Sequence, residues 1–397
     1  MQPSTQAADA TRDADGSLRF RHERIDDNPP SGQLSQCLTT DLTGNGRPDI
    51  IVTTLGARPE FSVAGKSIKP RSMPWFNRLY AQLETNVFWY ENPGWERHTL
   101  ASEKNLHLSI GADLYDLDGD GRLDLIAGQS YQANDIYWFR QPEDPRDPWE
   151  KHVVSSRFQK YHDLTMGDVD NDGEPELVGL SQEAETVFYY DLPADPTVQP
   201  WPDEHCHVID EGISLEGMWV GDVDGDGLNE LVAGPHIYRL RDGEWDREDI
   251  ASGWDYTRVA VADIDGDDEP EIVLSEGDSP LFGTHLGRVA WFDGPDWKMH
   301  LLQDDLYCPH SLQTADFTGD GTLDIYVGEM GHRDNDSPRG FVHVNQGDGT
   351  FEQYCISEGI GVHEAKAVDM NDDGRTDIVS KSYGPAHHVD VWYNGSY

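Results

Sequence analysis

The sequence predicts an all-β protein, a seven-bladed β-propeller of four-stranded antiparallel blades. Three observations carry the prediction: an acidic motif that recurs seven times, an aromatic strand after each copy, and one strand at the N-terminus that is missing from the C-terminus. The motif reads D-x-D-x-D-G-x-x-D/E followed by an apolar run, and its copies start at Asp41, Asp116, Asp168, Asp222, Asp263, Asp316 and Asp369. The spacings are 75, 52, 54, 41, 53 and 53 residues, and a period near 50 is that of a propeller blade or a solenoid coil.

Within each repeat the elements follow in a fixed order. A strand leads into the acidic turn, and a short apolar strand such as Ile50-Ile51-Val52 or Leu125-Ile126-Ala127 leaves it. An aromatic third strand comes next: Val87–Glu91, Ile136–Arg140, Val187–Asp191, His236–Leu240, Val289–Asp293, Phe341–Asn345 and Val389–Asn394. Turns rich in Gly, Pro and Asp then give way to a fourth strand, seen in the segments that open at Trp95, Trp149, Glu244, Asp296 and Thr350. Four strands per repeat is the arithmetic of a propeller. After the seventh motif the chain ends one strand short, and Leu18–Ile25 resembles the missing fourth strand. That strand is expected to complete blade seven and remove an open edge, for which a solenoid has no use. The expected organisation is an acidic, disordered tail over residues 1–16 and one propeller domain over 17–397, with an insertion at 57–83.

The composition narrows the function classes. With 75 Asp+Glu against 29 Lys+Arg the formal charge is −46, about one net negative charge per nine residues. Only 8 of the basic residues are Lys, and so acidic a surface repels itself less in concentrated salt. We read this as the chain of a salt-loving organism, the alternative being an ordinary acidic calcium binder. Nucleic acid and anionic lipid are excluded as partners, because both need a basic face. Cys37, Cys206, Cys308 and Cys355 form no CxxC pair and read as free core thiols. No run approaches 18 apolar residues and no leader precedes the first repeat. As written the chain reads as soluble, without membrane insertion and cytoplasmic, or secreted if a leader was removed.

These seven motifs resemble the FG-GAP/VCBS family of calcium-loop propellers, and the resemblance covers nearly the whole chain. Independently of it, carboxylates at positions 1, 3 and 5, a turn Gly at 6 and an acid at 9 place hard oxygen ligands around one turn, as in the first half of an EF-hand loop. The complete sets are Asp116/Asp118/Asp120/Asp124, Asp168/Asp170/Asp172/Glu176, Asp222/Asp224/Asp226/Glu230, Asp263/Asp265/Asp267/Glu271 and Asp369/Asn371/Asp373/Asp377. The loops at Asp41 (with Thr43, Asn45 and Asp49) and Asp316 (with Thr318, Asp320 and Asp324) carry fewer charges and are expected to bind more weakly. Asp268 stands where the fifth loop needs a left-handed residue, which Asp tolerates. Ca²⁺ in several loops is the expectation, with hydrogen-bonded turn capping as the alternative, and either role is that of a scaffold.

Chemistry is therefore sought at the opposite end of the first strands. Six residues before each motif stand Ser35, Ile110, His162, Glu216, Thr257, His310 and His363. Three His and a Glu at equivalent positions in a closed fold are candidates for a site, against the alternative of packed core residues. His107 lies nine residues back in the second repeat, where Asp113 signals a bulge. The neighbours Asp163, Arg258, Ser311 and Glu364 compete for the same role, since alternation leaves open which parity faces the channel. Polar loops add Gln129, Tyr131, His236, Glu276, His285, Glu329, His332, Arg333, Arg339, Lys381, Tyr383, His387 and His388. The insertion carries Arg58, Lys66, Lys69, Arg71, Trp75, Phe76, Arg78 and Tyr80, and reads either as a packed surface loop or as a lid for an anionic or sugar substrate.

No GxxxxGK, GxSxG or HExxH occurs. The remaining His, Arg, Lys, Tyr and carboxylates suit proton abstraction beside a carbonyl, with a cation steadying the enolate. Pro309–His332 and Val362–Gly384 are similar to propellers of rhamnose–glucuronate and ulvan lyases and of aldos-2-ulose dehydratase, although this chain has no cupin-like second domain. The resemblance implies β-elimination on a uronate-containing or keto sugar. His310 or His363 is then the base, and the other histidine with His162 and Glu216 holds a further divalent metal or orients substrate. Arg258 neutralises charge and Tyr256 is the candidate acid, with His107, Glu364, His332, Arg333, Lys381 and Tyr383 binding substrate. The competing expectation is a non-catalytic, calcium-stabilised propeller that binds glycan or protein.

Overall fold

Where each acidic turn gives way to an apolar run, the chain enters a strand buried on both faces. Asp49–Thr54, Asp124–Gln129, Glu176–Ser181, Glu271–Glu276, Asp324–Gly328 and Asp377–Lys381 are buried at every residue. Packing on both faces is why these runs do not alternate with polar residues. The computed structural model describes residues 18–56, 61–63, 66–68, 82–130, 133–332, 334–384 and 386–395. The expected tail at 1–16, Arg333, Tyr131 and the side chains of the 57–81 insertion lie outside the described residues.

The fold is an all-β, seven-bladed β-propeller with four antiparallel strands in each blade. Blade one consists of Leu34–Thr40, Asp49–Thr54, Glu84–Glu91 and Glu96–Lys104. The next five blades repeat that order through Phe351–Glu358, and a two-stranded ribbon, Phe61–Val63 with Lys66–Ile68, is added within the insertion. Blade seven is Glu364–Val368, Asp377–Lys381 and Val389–Asn394, completed by Phe20–Asp26 from the other end of the chain. The latter pairs with Val389–Asn394 from Phe20↔Asn394 to Asp26↔Val389. The expected N-terminal strand therefore does complete the last blade.

By its contacts the chain divides into two compact units. One comprises Asn28–Asp222 and Asp226–Thr257, the other Met1–Asp27, Val223–Gly225 and Arg258–Tyr397. The first holds blades one to four. Its cores join neighbouring blades through aromatic third strands: Trp89 and Phe139 lie in one cluster, Trp138, Phe188 and Tyr190 in the next. Gly128 has no room for a side chain, since a Cβ there would stand 2.4 Å from that of Tyr161. The second unit holds the remaining blades, with Trp291 and Phe341 in one cluster and Phe317, Tyr326 and Trp392 in another. Full burial of side chains this large stabilises by about 2–3 kcal/mol each.

The fourth strands carry the exposed rim, as in Lys298–Leu306, where polar residues and the exposed Met299 and Leu301 face outward. Of the four thiols expected in the core, only Cys37 and Cys308 are buried. Cys206 is half-buried and Cys355 exposed, because both stand on outer fourth strands. Among the described residues no helix is long and apolar enough to cross a membrane.

Candidate functional site

All seven acidic motifs form the same turn. The first Asp of each accepts a hydrogen bond from the backbone N–H five residues on: Gly46 to Asp41 at 2.7 Å, Gly121 to Asp116 at 2.8 Å and Gly374 to Asp369 at 2.7 Å are examples. In the fifth loop the donor is Asp268, at φ 72°, which confirms that Asp takes the left-handed position. The acid at position 9 accepts from the N–H that follows the first Asp, as Asp49 does from Leu42 at 3.0 Å and Glu176 from Val169 at 2.8 Å. These bonds make the turn, and they leave oxygens over.

Burial drives the position-9 acids up, to about 6 for Asp49, Asp124 and Asp377 and about 7 for Glu176, Glu271 and Asp324. Neighbouring carboxylates add to the rise, which is the electrostatic demand for a cation. Thr43 Oγ1, Asp168 Oδ1 and Asp265 Oδ1 are buried and accept no hydrogen bond among the described residues. Asp168, Asp170, Asp172 and Glu176 bring one oxygen each within 4.8 Å of one another, as do Asp116, Asp118 and Asp124. Hard oxygen donors with unspent buried lone pairs fit a metal ion of the calcium type.

Several of the expected ligands at positions 3 and 5 also hydrogen-bond within their own turn. Asp267 and Asp373 are exposed rather than enclosed. One oxygen of each is spent on capping the turn, Asp267 Oδ1 accepting the Glu269 N–H at 2.9 Å and Asp373 Oδ1 the Arg375 N–H at 3.0 Å. Asn45, Asp226 and Asp320 cap in the same way, from Arg47, Leu228 and Thr322. In blade seven Asn371 turns onto its own loop. Its amide donates to Asp373 Oδ2 at 3.1 Å and its Oδ1 accepts the Asp373 N–H at 3.0 Å. The set expected to be complete there is thus partly closed on itself, because an amide supplies the donor that a carboxylate lacks. In blade two Arg122 and Arg140 pair with Asp120.

The residues expected at the other end of the first strands are described within each unit in turn. In the four-blade unit, His162 Nδ1 lies 2.7 Å from Asp163 Oδ2, and its Nε2 3.3 Å from Glu216 Oε1. Asp163 Oδ2 also accepts the Gly217 N–H at 3.0 Å. Gln182 Nε2 donates to the same Glu216 oxygen, while Glu216 Oε2 and Gln182 Oε1 are buried without a hydrogen-bond partner among the described residues. Two acceptors facing each other in a buried cluster call for a proton or a metal ion.

His107 is also buried in this unit, with Nδ1 2.9 Å from the Leu55 carbonyl. The bulge expected beside it is present, between Leu108 and Ala112. Asp113 is used to join blades, accepting from the Met166 N–H at 2.9 Å and the Thr165 hydroxyl at 3.1 Å.

The second cluster is built on blades five to seven. Glu364 Oε1 lies 3.1 Å from His310 Nδ1 and 3.6 Å from Arg258 Nη2. His310 stacks on His363 with ring centroids 3.9 Å apart and also approaches its carbonyl, and Tyr383 stacks on the far side of His363 at 4.6 Å. Lys381 Nζ contacts His363 Nδ1 and is wholly buried. Burial alone would raise Glu364, yet Arg258, His310 and Lys381 bring it down to about 2. Burial would lower His310, yet Glu364 outweighs it and holds the imidazole above its ordinary value. His310, His363, Glu364 and Lys381 are each 4% exposed or less. The set is a buried network of one carboxylate among several cationic and imidazole groups.

Other candidates stand apart from these clusters. Tyr256, the candidate acid, is 38% exposed at φ 53° on the turn before Thr257. His332 bridges to Asn335 in a surface turn, 3.7 Å from Asp334. Glu276 and Glu329 each receive an arginine from their own blade, Arg288 at 2.7 Å and Arg339 at 2.7 Å. Gln182 escaped sequence reasoning. Counting six residues on from the acid at position 9 would have found it, since the same count from Asp377 gives Tyr383.

Comparison with known proteins agrees with this geometry. The chain carries FG-GAP-like repeats, matched at residues 116–179 and 316–380. It is 23% identical over 274 residues to human cartilage acidic protein 1, a match covering 59% of this chain and 41% of that protein. The chain therefore spans less than half the length of this curated relative. Its fold is similar to that of the V. cholerae biofilm matrix protein Bap1, with a TM-score of 0.51 and 12% identity, covering 95% of this chain and 91% of that one.

Proposed function

We propose that this FG-GAP-repeat propeller is a non-catalytic, calcium-stabilised binding module whose ligands are carbohydrate or protein. The observation that carries the reading is the state of Glu364. It is 4% exposed and spent on His310 and Arg258, so the groups expected to do chemistry satisfy one another instead. His310, one of the two expected bases, is held in this buried pair and would have to break it to reach a substrate, a loss of several kcal/mol. The similar proteins support the same reading, one named as a cartilage acidic protein and one described as a biofilm matrix protein. Calcium in the loops follows from the oxygen donor sets and their buried, unspent lone pairs. The charge of −46 adapts the surface to concentrated salt.

A second reading is favoured by His162 and Glu216, whose facing acceptors would hold a divalent metal oriented by Asp163. Under it the chain is a sugar lyase or dehydratase, with His310 or His363 as base and Arg258 as the charge-neutralising group. One experiment separates the two. The full chain, in molar salt with calcium, is incubated with uronate polysaccharides and keto-sugars while binding and ultraviolet-absorbing unsaturated product are both recorded. Retention of a polysaccharide or matrix protein without product supports the binding module. Product formation that His310→Ala abolishes overturns it.

A further inference from the structure

The seven loops share a motif but differ in the residue that faces them from the third strand. Tyr90, Phe139, Tyr190 and Phe292 pair with the first apolar residue after the acid at position 9, which is Ile50, Leu125, Leu177 and Ile272 in turn. The next residue toward the loop is Glu91, Arg140, Asp191 and Asp293. In blades three and five it is a carboxylate beside position 3 of the loop. These are also the loops in which Asp168 Oδ1 and Asp265 Oδ1 are buried and bare.

Blade two is built the other way. Arg140 pairs through Nε with Asp118 Oδ2, and its Nη2 lies 3.3 Å from Asp120 Oδ2. Arg122 closes on Asp120 as well, anchored by its Nε to the Gln141 carbonyl at 3.2 Å. Both oxygens of Asp116 accept backbone N–H groups, from Asp120 at 3.0 Å and Gly121 at 2.8 Å.

We infer that the blade-two loop is neutralised by its own arginines, Arg140 foremost, and takes no divalent cation, whereas the loops of blades three and five do. This rests on the reading of the acidic loops as metal sites and sets which of them are used. A guanidinium does not deprotonate in proteins, and it offers donors matched to carboxylate geometry. A divalent ion at Asp118 would have to displace it or sit beside a fixed positive charge. The chain therefore carries fewer ions than motifs, and blade two keeps its turn without calcium.

The test is calcium stoichiometry of the full chain, by equilibrium dialysis and by metal analysis after gel filtration. Asp168→Asn should lose one ion and Asp116→Asn none. Arg140→Asp should gain one. Arg140→Gln, close in length and uncharged, serves if the acidic variant fails to fold, and should also gain one. Loss of an ion in Asp116→Asn, or wild-type stoichiometry in both folded Arg140 variants, overturns the inference. A wild-type chain that binds no calcium would overturn the loop reading itself, and it is recognised because Asp168→Asn then changes nothing.

Discussion

His22 Nε2 lies 2.7 Å from Oδ1 of the fully buried Asp390, joining the strand that begins the chain to the one that ends it. Arg24 reaches the same oxygen at 3.0 Å, and His388 contacts the other. Burial would raise Asp390, but His22 and His388 hold it at about 2. A free aspartate titrates near 3.9, so this latch contributes its full stabilisation above about pH 4 and loses it as the pH falls through 2.

Asp390→Asn leaves two histidines and Arg24 without their shared anion. We expect it to cost about 3 kcal/mol and to expose Arg19, Arg21 and Arg24 to trypsin before the rest of the chain opens. The measurement is urea unfolding beside limited proteolysis. Wild-type cleavage and stability in the variant would show that backbone pairing alone holds the strand.

Chelation tests the loops. Excess chelator should lower the melting temperature by several degrees, because carboxylates gathered in the ion-holding turns, those of blades three and five among them, lose their counter-ion. Calcium should restore it, and magnesium, which demands a stricter octahedron, should restore less. A melting curve indifferent to chelator in low salt would leave turn capping as the whole role of the motifs.

The pair of His310 and Glu364 gives stability its own pH window. Glu364, held at about 2, contributes in full above about 4.5 and loses its contribution as pH falls through 2. His310 is held above its ordinary value, so its contribution is complete below about 6.5 and disappears as pH rises through the folded value. Urea midpoints should thus decline above neutrality in the wild type, and Glu364→Gln should remove that component while costing about 3 kcal/mol. An unchanged pH profile in the variant refutes the coupling.

Truncating the sealed histidine separates binding from catalysis through stability. On the binding reading His310→Ala loses about 2–3 kcal/mol, a stacked ring and a buried partner of Glu364 together, yet retains ligand. A fully stable variant that loses ligand or product would place the histidine in a working site.

A surface of −46 should respond to salt alone. Raising potassium chloride from 0.1 to 2 M shortens the screening length from about 10 Å to below 3 Å, and the melting temperature should climb accordingly. A flat response would show that the acidic residues serve the loops rather than the medium.

The repeat by itself determined the blades, the strand order, the loop positions and the completion of blade seven by Phe20–Asp26, because each depends on local periodicity and on turn chemistry that one motif restates seven times. It also brought the search to His162, Glu216, His310 and His363 by simple counting. Their partners were decided only in three dimensions. Asp163 and Glu364, left open by strand alternation, are the residues that pair with His162 and His310. Gln182 reaches Glu216 across 34 residues, and Asp390 meets His22 across 368. Within the loops, the motif placed Asn371 and Asp373 side by side as ligands, whereas the folded turn bonds them to each other. Sequence spacing fixes which way a side chain leaves its own strand, but not which charge stands opposite it on the next blade. In a buried network that opposite charge sets the protonation state. It decides whether Glu364 is free to bind substrate or is a clamped anion, and whether Asp118 waits for a metal or already holds Arg140.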